Sequence, residues 1–371
     1  GNAADLIRNL PSISINAIGE ISVRGSRGFV ILLNDKPIQS DIKSLLNQIP
    51  ANSIKNIEVI TAPSAKYDAE GKAGIINILT LKNAVKGDYF QVNTLLGAPS
   101  VQDYENTEIA QRYGADLTYN TVGEKWNLST GFSFQRNDLS GRREGDVYTI
   151  ISDKYTRFPS DGERSFDEIN YSGRLTADYQ LTERDQFSLG FFAGKRTKDR
   201  TADIVYYANY AIVSDIEYEF QYYNENLRIR KSDFILGSLD YEHKFKNEAE
   251  LSSSILYEYS LLGGPTTNRN LGYPDNSIIY QDEYNTNNNP LYGLRINLDY
   301  QFRPFSNGTF EMGYQYRNLD HTGDFVYERK NNITQIFELV PEFSSEVNLK
   351  RSIHSGYLQY NGSFEKWSIA L

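Results

Sequence analysis

The sequence predicts a small α/β unit followed by an antiparallel, up-and-down transmembrane β-barrel. Three observations carry that expectation. Up to about residue 86 the apolar residues fall in short runs of mixed period. From about residue 87 long segments alternate apolar and polar residues. The connections between those segments alternate short and long. At 371 residues the chain exceeds one ordinary core, so two units are expected, 1–86 and 87–371.

Composition narrows the function classes. The formal net charge is −10, which disfavours nucleic acid as a partner because phosphate binding needs a basic surface. With no cysteine there is no disulfide, thiolate metal site or cysteine nucleophile. Mean hydropathy is −0.54, and no run approaches the roughly 18 apolar residues of a membrane helix. A β-barrel tolerates that composition, since only every second residue faces lipid. The start of the chain, Gly1 to Asp5, has neither the basic nor the apolar part of a signal peptide.

In the leader, Asp5–Pro11 reads as a short helix stopped by proline. Ile13 and Ile15, then Ile21 and Val23, alternate as short strands, and Phe29–Leu33 is a buried strand. Asn34–Asp35–Lys36–Pro37 has turn chemistry. Asp41 caps an expected helix whose Ile42, Leu45, Leu46 and Ile49 share one face, and Pro50 ends it. Glu58–Ile60 and Ile75–Leu79 are strands around a polar loop.

In the body the alternation is explicit. Trp126, Leu128, Thr130, Phe132 and Phe134 oppose Asn127, Ser129, Gly131, Ser133 and Gln135. Segments 112–120, 169–181 and 292–302 repeat the pattern, so each strand has one apolar and one polar face. About ten residues at a tilt span a bilayer. Trp126, Tyr179, Tyr300 and Phe302 lie near segment ends, where an interfacial aromatic girdle belongs. Short connections are expected near 121–124, 182–185, 246–248, 304–308 and 365–366. Long loops are expected near 98–110, 138–167, 198–230, 261–289 and 320–350. About ten strands and the start of an eleventh at Trp367 are counted.

An ordered series of leader residues resembles a known family. Val23–Arg24–Gly25 is followed by Asn34–Asp35–Lys36–Pro37, Ile49–Pro50, Ser53–Val59, Pro63–Tyr67 and Gly74–Ile78. Over roughly residues 5–83 the chain resembles the plug of TonB-dependent outer-membrane receptors. Lys66–Gly71 is similar to the Bacteroidetes-type outer-membrane β-barrel family. Two departures stand out: Ile60–Thr61–Ala62–Pro63 replaces the frequent Leu-Arg-Gly-Pro, and Tyr67–Asp68 replaces Tyr-Gly. The resemblance implies a plugged barrel of about 22 strands, so the chain is expected to hold an incomplete plug and the first half of a barrel.

The resemblance further implies a receptor in the cell outer membrane, with no covalent chemistry and no cofactor. It would import a siderophore, glycan, peptide or metal complex. Its implied partners are TonB, through a segment not found here, outer-membrane lipid, an extracellular substrate and a surface lipoprotein. Arg24 and Glu58 become expected plug–barrel contacts. Gln39, Ser40 and Asp41, on a loop placed at the outer end of the plug, become expected ligand contacts. The Tyr- and Asn-rich long loops add Tyr206, Tyr207 and Tyr210, whose rings and hydroxyls suit stacking and hydrogen bonding. No catalytic arrangement stands out, and His243, His321 and His354 have no metal-ligand spacing. The alternative is a surface binding or signalling receptor on the same fold that imports nothing.

Overall fold

The computed structural model describes the chain except residues 1, 11–12, 16–20, 24–28, 39–45, 47, 61–73, 81–86, 99–100, 153, 214–215, 306–307, 365–366 and 371. The leader begins with helix α1 (Ala3–Ile7), capped by Asn2 and Asp5 in reciprocal hydrogen bonds. Strands β1 (Ile13–Ile15) and β2 (Ile21–Val23) pair with each other. A second sheet has the order β4 (Lys36–Pro37), β3 (Phe29–Leu33), β6 (Gly74–Thr80), β5 (Ile54–Ile60). In it β3 and β6 run parallel and the other pairs antiparallel. Within the expected helix around 41–49, Leu46 and Gln48 are helical, and Leu46 and Ile49 are fully buried.

The tight turn of this sheet is built by side chains. Asn34 and Asp35 both have positive φ, 50° and 66°, as a two-residue hairpin turn of this hand requires. The Asn34 side-chain oxygen accepts from the Thr80 amide at 2.9 Å. Asn77, 1% exposed, accepts from the Asp35 amide at 3.1 Å and donates to the Asp35 carboxylate at 2.7 Å. It also donates to Glu58 at 3.3 Å across the sheet. A buried amide costs free energy unless paired, and these partners meet that demand.

From Gly87 onward the chain forms one antiparallel sheet. Its main path is β7 (Gly87–Leu96), β8 (Arg112–Val122), β9 (Trp126–Asn137), β11 (Lys154–Gln180), β12 (Asp185–Val213), β13 (Ile216–Lys244), β14 (Glu250–Leu271), β15 (Ile279–Phe305), β16 (Gly308–Lys330), β18 (Ser345–Phe364) and β19 (Trp367–Ala370). Strands β10 (Arg142–Ile151) and β17 (Phe337–Leu339) add to β11 and β16 beside it. The up-and-down order is as expected, and the eleventh strand of the path does begin at Trp367. Among the described residues β7 and β19 do not pair, so the sheet is an open barrel wall.

Polarity is inverted relative to a water-soluble protein. Leu189, Phe191, Leu239, Ile255, Leu298 and Leu358 point outward and are each more than a third exposed, while Arg174, Glu258, Arg295 and Arg317 on the opposite face are buried. A wall with lipid outside and polar groups inside has this distribution. The long loops, by contrast, are mostly strand. Much of 138–167, 198–230, 261–289 and 320–350 extends the sheet, giving strands of up to 29 residues. The alternation was lost there because both faces meet water beyond the membrane, so neither must be apolar. Main-chain pairing and cross-strand side-chain pairs carry the sheet on.

Replacing Asn77 by Leu would strand the Asp35 amide and two carboxylates, at a cost of about 1–3 kcal/mol. Amide exchange in β3 and β4 should quicken by about tenfold or more; unchanged protection would contradict the assigned role of Asn77.

Candidate functional site

Alternation fixes which wall residues face the leader domain. On β12 and β13 these are the even-numbered ones, because Phe192, Phe234 and Leu236 join the cluster containing Ile31, Leu33, Leu46 and Ile76. Leu256 of β14 completes that apolar seam. The Phe192 and Phe234 rings stack at 5.1 Å. Above the seam, Gln48 Nε2 donates to the Ser232 carbonyl and hydroxyl, both at 3.4 Å. Gln48 fits there because Gly194 opposite has no side chain; a Cβ would fall 2.3 Å from Gln48 Oε1. Below the seam, Lys36 forms an ion pair with Asp240.

Magnitudes rank these contacts. Each seam side chain contributes about 1.5–3 kcal/mol by burial, whereas a partly exposed ion pair contributes about 1 kcal/mol or less. The seam therefore supplies most of the attachment and the polar pairs set its register. Beside it, a cavity of about 70 Å³ lies between Asn34, Lys36 and Thr80 on one side and Arg174, Asp178 and Asp240 on the other. A cleft of about 290 Å³ separates Asn2, Gln48 and Pro50 from Asn93, Asp116 and Gln135.

The wall continues past the domain to the long-loop end. Tyr222 lies about ten residues beyond Ser232 on β13, roughly 33 Å along the strand. There Tyr206 and Tyr222 stack at 4.7 Å, and Phe158 meets both Tyr206 and Phe220 edge-on. The Arg143 guanidinium sits 5.9 Å from the Tyr206 ring centre. Burial first, and then the neighbouring Tyr206, push the Tyr222 hydroxyl up to about 12, so it stays a donor throughout the physiological range. On the rim of the wall, Arg142 holds the Asp161 carboxyl below its ordinary range.

The expected site residues fall in different places. Tyr206 is in the aromatic cluster, and Tyr207 is exposed. Tyr210 pairs with Arg157 in the sheet, but its side chain is outside the described set. Gln39, Ser40, Asp41 and Arg24 lie outside the described residues. The loop expected at the outer end of the domain starts instead at the short-turn end: Lys36 meets Asp240, close to the turn between Lys244 and Glu250. The hydrogen bond described for Glu58 runs to Asn77 inside the domain rather than to the wall. Lys36, Asp240, Gln48 and the seam were not anticipated. A signal for the seam existed: Phe192, Phe234, Leu236 and Leu256 are apolar residues at positions where their strands should be polar.

Comparison with known proteins follows the same division. Residues 1–75 match the TonB-dependent receptor plug domain, and residues 243–371 match the outer membrane protein beta-barrel family. Among solved structures, the ferric yersiniabactin uptake receptor FyuA from Yersinia pestis superposes with a TM-score of 0.57 at 12% identity, over 98% of this chain and 60% of that one. The siderophore receptor PiuA from Acinetobacter baumannii gives a TM-score of 0.46 at 13% identity, over 97% of this chain and 59% of that one. The chain thus spans about 60% of the length of these two solved structures. A comparison with curated proteins finds no match. A TonB-dependent receptor plug domain at the start and an outer-membrane barrel-family wall after it give the chain the architecture of a plugged outer-membrane receptor.

Plug attachment can be read as the urea concentration at which the plug becomes protease-sensitive. Leu236→Ala should lower that midpoint more than Lys36→Ala. The pair Lys36→Ala and Asp240→Ala should show a coupling of about 1 kcal/mol, recovered by exchanging the two charges. Additive single effects would mean that the ion pair holds nothing.

Proposed function

We propose that the protein is an importing receptor: it captures a scarce extracellular solute in the outer chamber and admits it to the periplasm when the plug is displaced, with energy supplied through TonB. The seam carries this reading. The plug is held on the face of the wall that would otherwise line the pore, by contacts that can be released without breaking a strand pair. Tyr206, Tyr207 and Tyr210 supply part of the outer surface that first meets the solute, and Gln39, Ser40 and Asp41 contact it from the plug on its way inward. Arg24 adds a plug–barrel contact to the seam, and Glu58 acts by holding Asn77 and so the turn that carries Lys36. The whole protein performs no covalent step on its cargo. TonB engages a segment outside the plug sheets, outer-membrane lipid covers the apolar face, and a surface lipoprotein can share the outer chamber.

The direct test is depletion of solutes from spent medium, followed by mass spectrometry. At least one solute should disappear only when both the receptor and TonB are present. Surface binding without TonB-dependent depletion would support the non-importing receptor instead.

A further inference from the structure

Between the plug seam and the aromatic cluster, the inner face of the wall has an unusual charge pattern in a chain of net charge −10. The plug-facing positions at this level are Arg164 on β11, Arg196, Lys198 and Arg200 on β12, and Arg228 and Arg230 on β13. Cross-strand register places Arg200 directly opposite Arg228, and Lys198 directly opposite Arg230. Like charges in direct register destabilise a sheet. One carboxylate, Glu168, answers part of this charge, accepting from Arg196 at 2.8 and 2.9 Å and pairing with Lys198 at 3.1 Å. Among the described residues no carboxylate pairs with Arg164, Arg200 or Arg228.

Arg200 is the centre of the group. Its Nη2 donates to Asn226 at 2.7 Å, while its buried Nε has no hydrogen-bond partner among the described residues. Burial, then Arg228 and Arg164, hold its guanidinium below the ordinary arginine value. Arg228 lies about four residues beyond Ser232, roughly 13 Å past the Gln48 contact and so toward the outer chamber.

We propose that Arg164, Arg200 and Arg228 form the docking subsite for an anionic group of the cargo, and that the cargo is a small polyanion presenting carboxylate- or phosphate-type oxygens. Guanidinium groups recognise such oxygens with paired N–H donors, and an anion between them relieves their mutual repulsion. The aromatic cluster farther out, with Arg143 over Tyr206, suits an unsaturated part of the same solute. This deepens the importing reading by naming its substrate class.

The test uses the full-length receptor in detergent, with tricarballylate and inorganic pyrophosphate as probes and the neutral trisaccharide raffinose as control. At millimolar concentration at least one anion should raise the thermal midpoint, and raffinose should not. The double variant R200Q/R228Q should lose about tenfold or more in anion affinity. Its own midpoint without anion should rise or stay level, because the opposed charges are gone; R200K/R228K should keep part of the binding. If tricarballylate distinguishes itself from pyrophosphate, the oxygen type is assigned as well. Absence of stabilisation by either anion, or equal stabilisation of wild type and R200Q/R228Q, would overturn the proposal. TonB-dependent depletion of some neutral solute in the same strain would then still support import, so the two readings fail separately.

Discussion

Everything in this structure follows from one constraint. In hydrocarbon, backbone N–H and C=O groups cannot turn to water, so each must pair within the sheet. That requirement makes the wall a continuous antiparallel ladder from β7 to β19 and fixes strand parity along its length. Parity then decides chemistry: one face must be apolar for lipid, and the other is free to carry Arg174, Glu258, Arg295 and Arg317. A single slipped residue would turn the arginines outward and the leucines inward.

The plug exploits that freedom on a limited patch. Most of the inner face is polar, which suits the opening interface that the proposed import requires. The apolar seam of Phe192, Phe234, Leu236 and Leu256 is the exception, and it meets the plug core. Its burial outweighs the flanking polar pairs. Those pairs cannot hold the plug alone, but they prevent it from sliding along the wall. Asn77 extends the same logic into the plug, since the turn that delivers Lys36 depends on the Asn77 hydrogen bonds.

Legibility in the sequence tracked how many constraints acted on each residue. Within the bilayer, lipid on one side and a polar lumen on the other imprint strict alternation. The segments around Trp126–Phe134 and Tyr292–Phe302 were accordingly readable as strands. Above the bilayer that imprint fades, so β12 beyond Thr197 and β13 before Lys231 read as Tyr- and Asn-rich loops although they are paired strand. The plug was legible through its ordered motifs, and Leu46 and Ile49 through their shared helical face. The contacts between the domains were not, because a contact such as Lys36 with Asp240 joins residues far apart in sequence with no local pattern to mark it. The basic patch hid for a related reason: Arg200 and Arg228 look like ordinary loop charges until register sets them face to face.

The length of the strands has a consequence for recognition. A strand of 29 residues runs roughly 90 Å, against a hydrocarbon core of about 30 Å. Much of the outer chamber is therefore ribbed by hydrogen-bonded sheet instead of closed by free loops. Rings and guanidinium groups mounted on such a frame hold their spacing before any solute arrives, so binding need not order the frame that carries them. Under the proposed docking role, selectivity in such a chamber would come from a fixed template: a solute would fit the spacing between Arg200 and the Tyr206 ring or pass by, much as a key meets a rigid ward and not a closing hand.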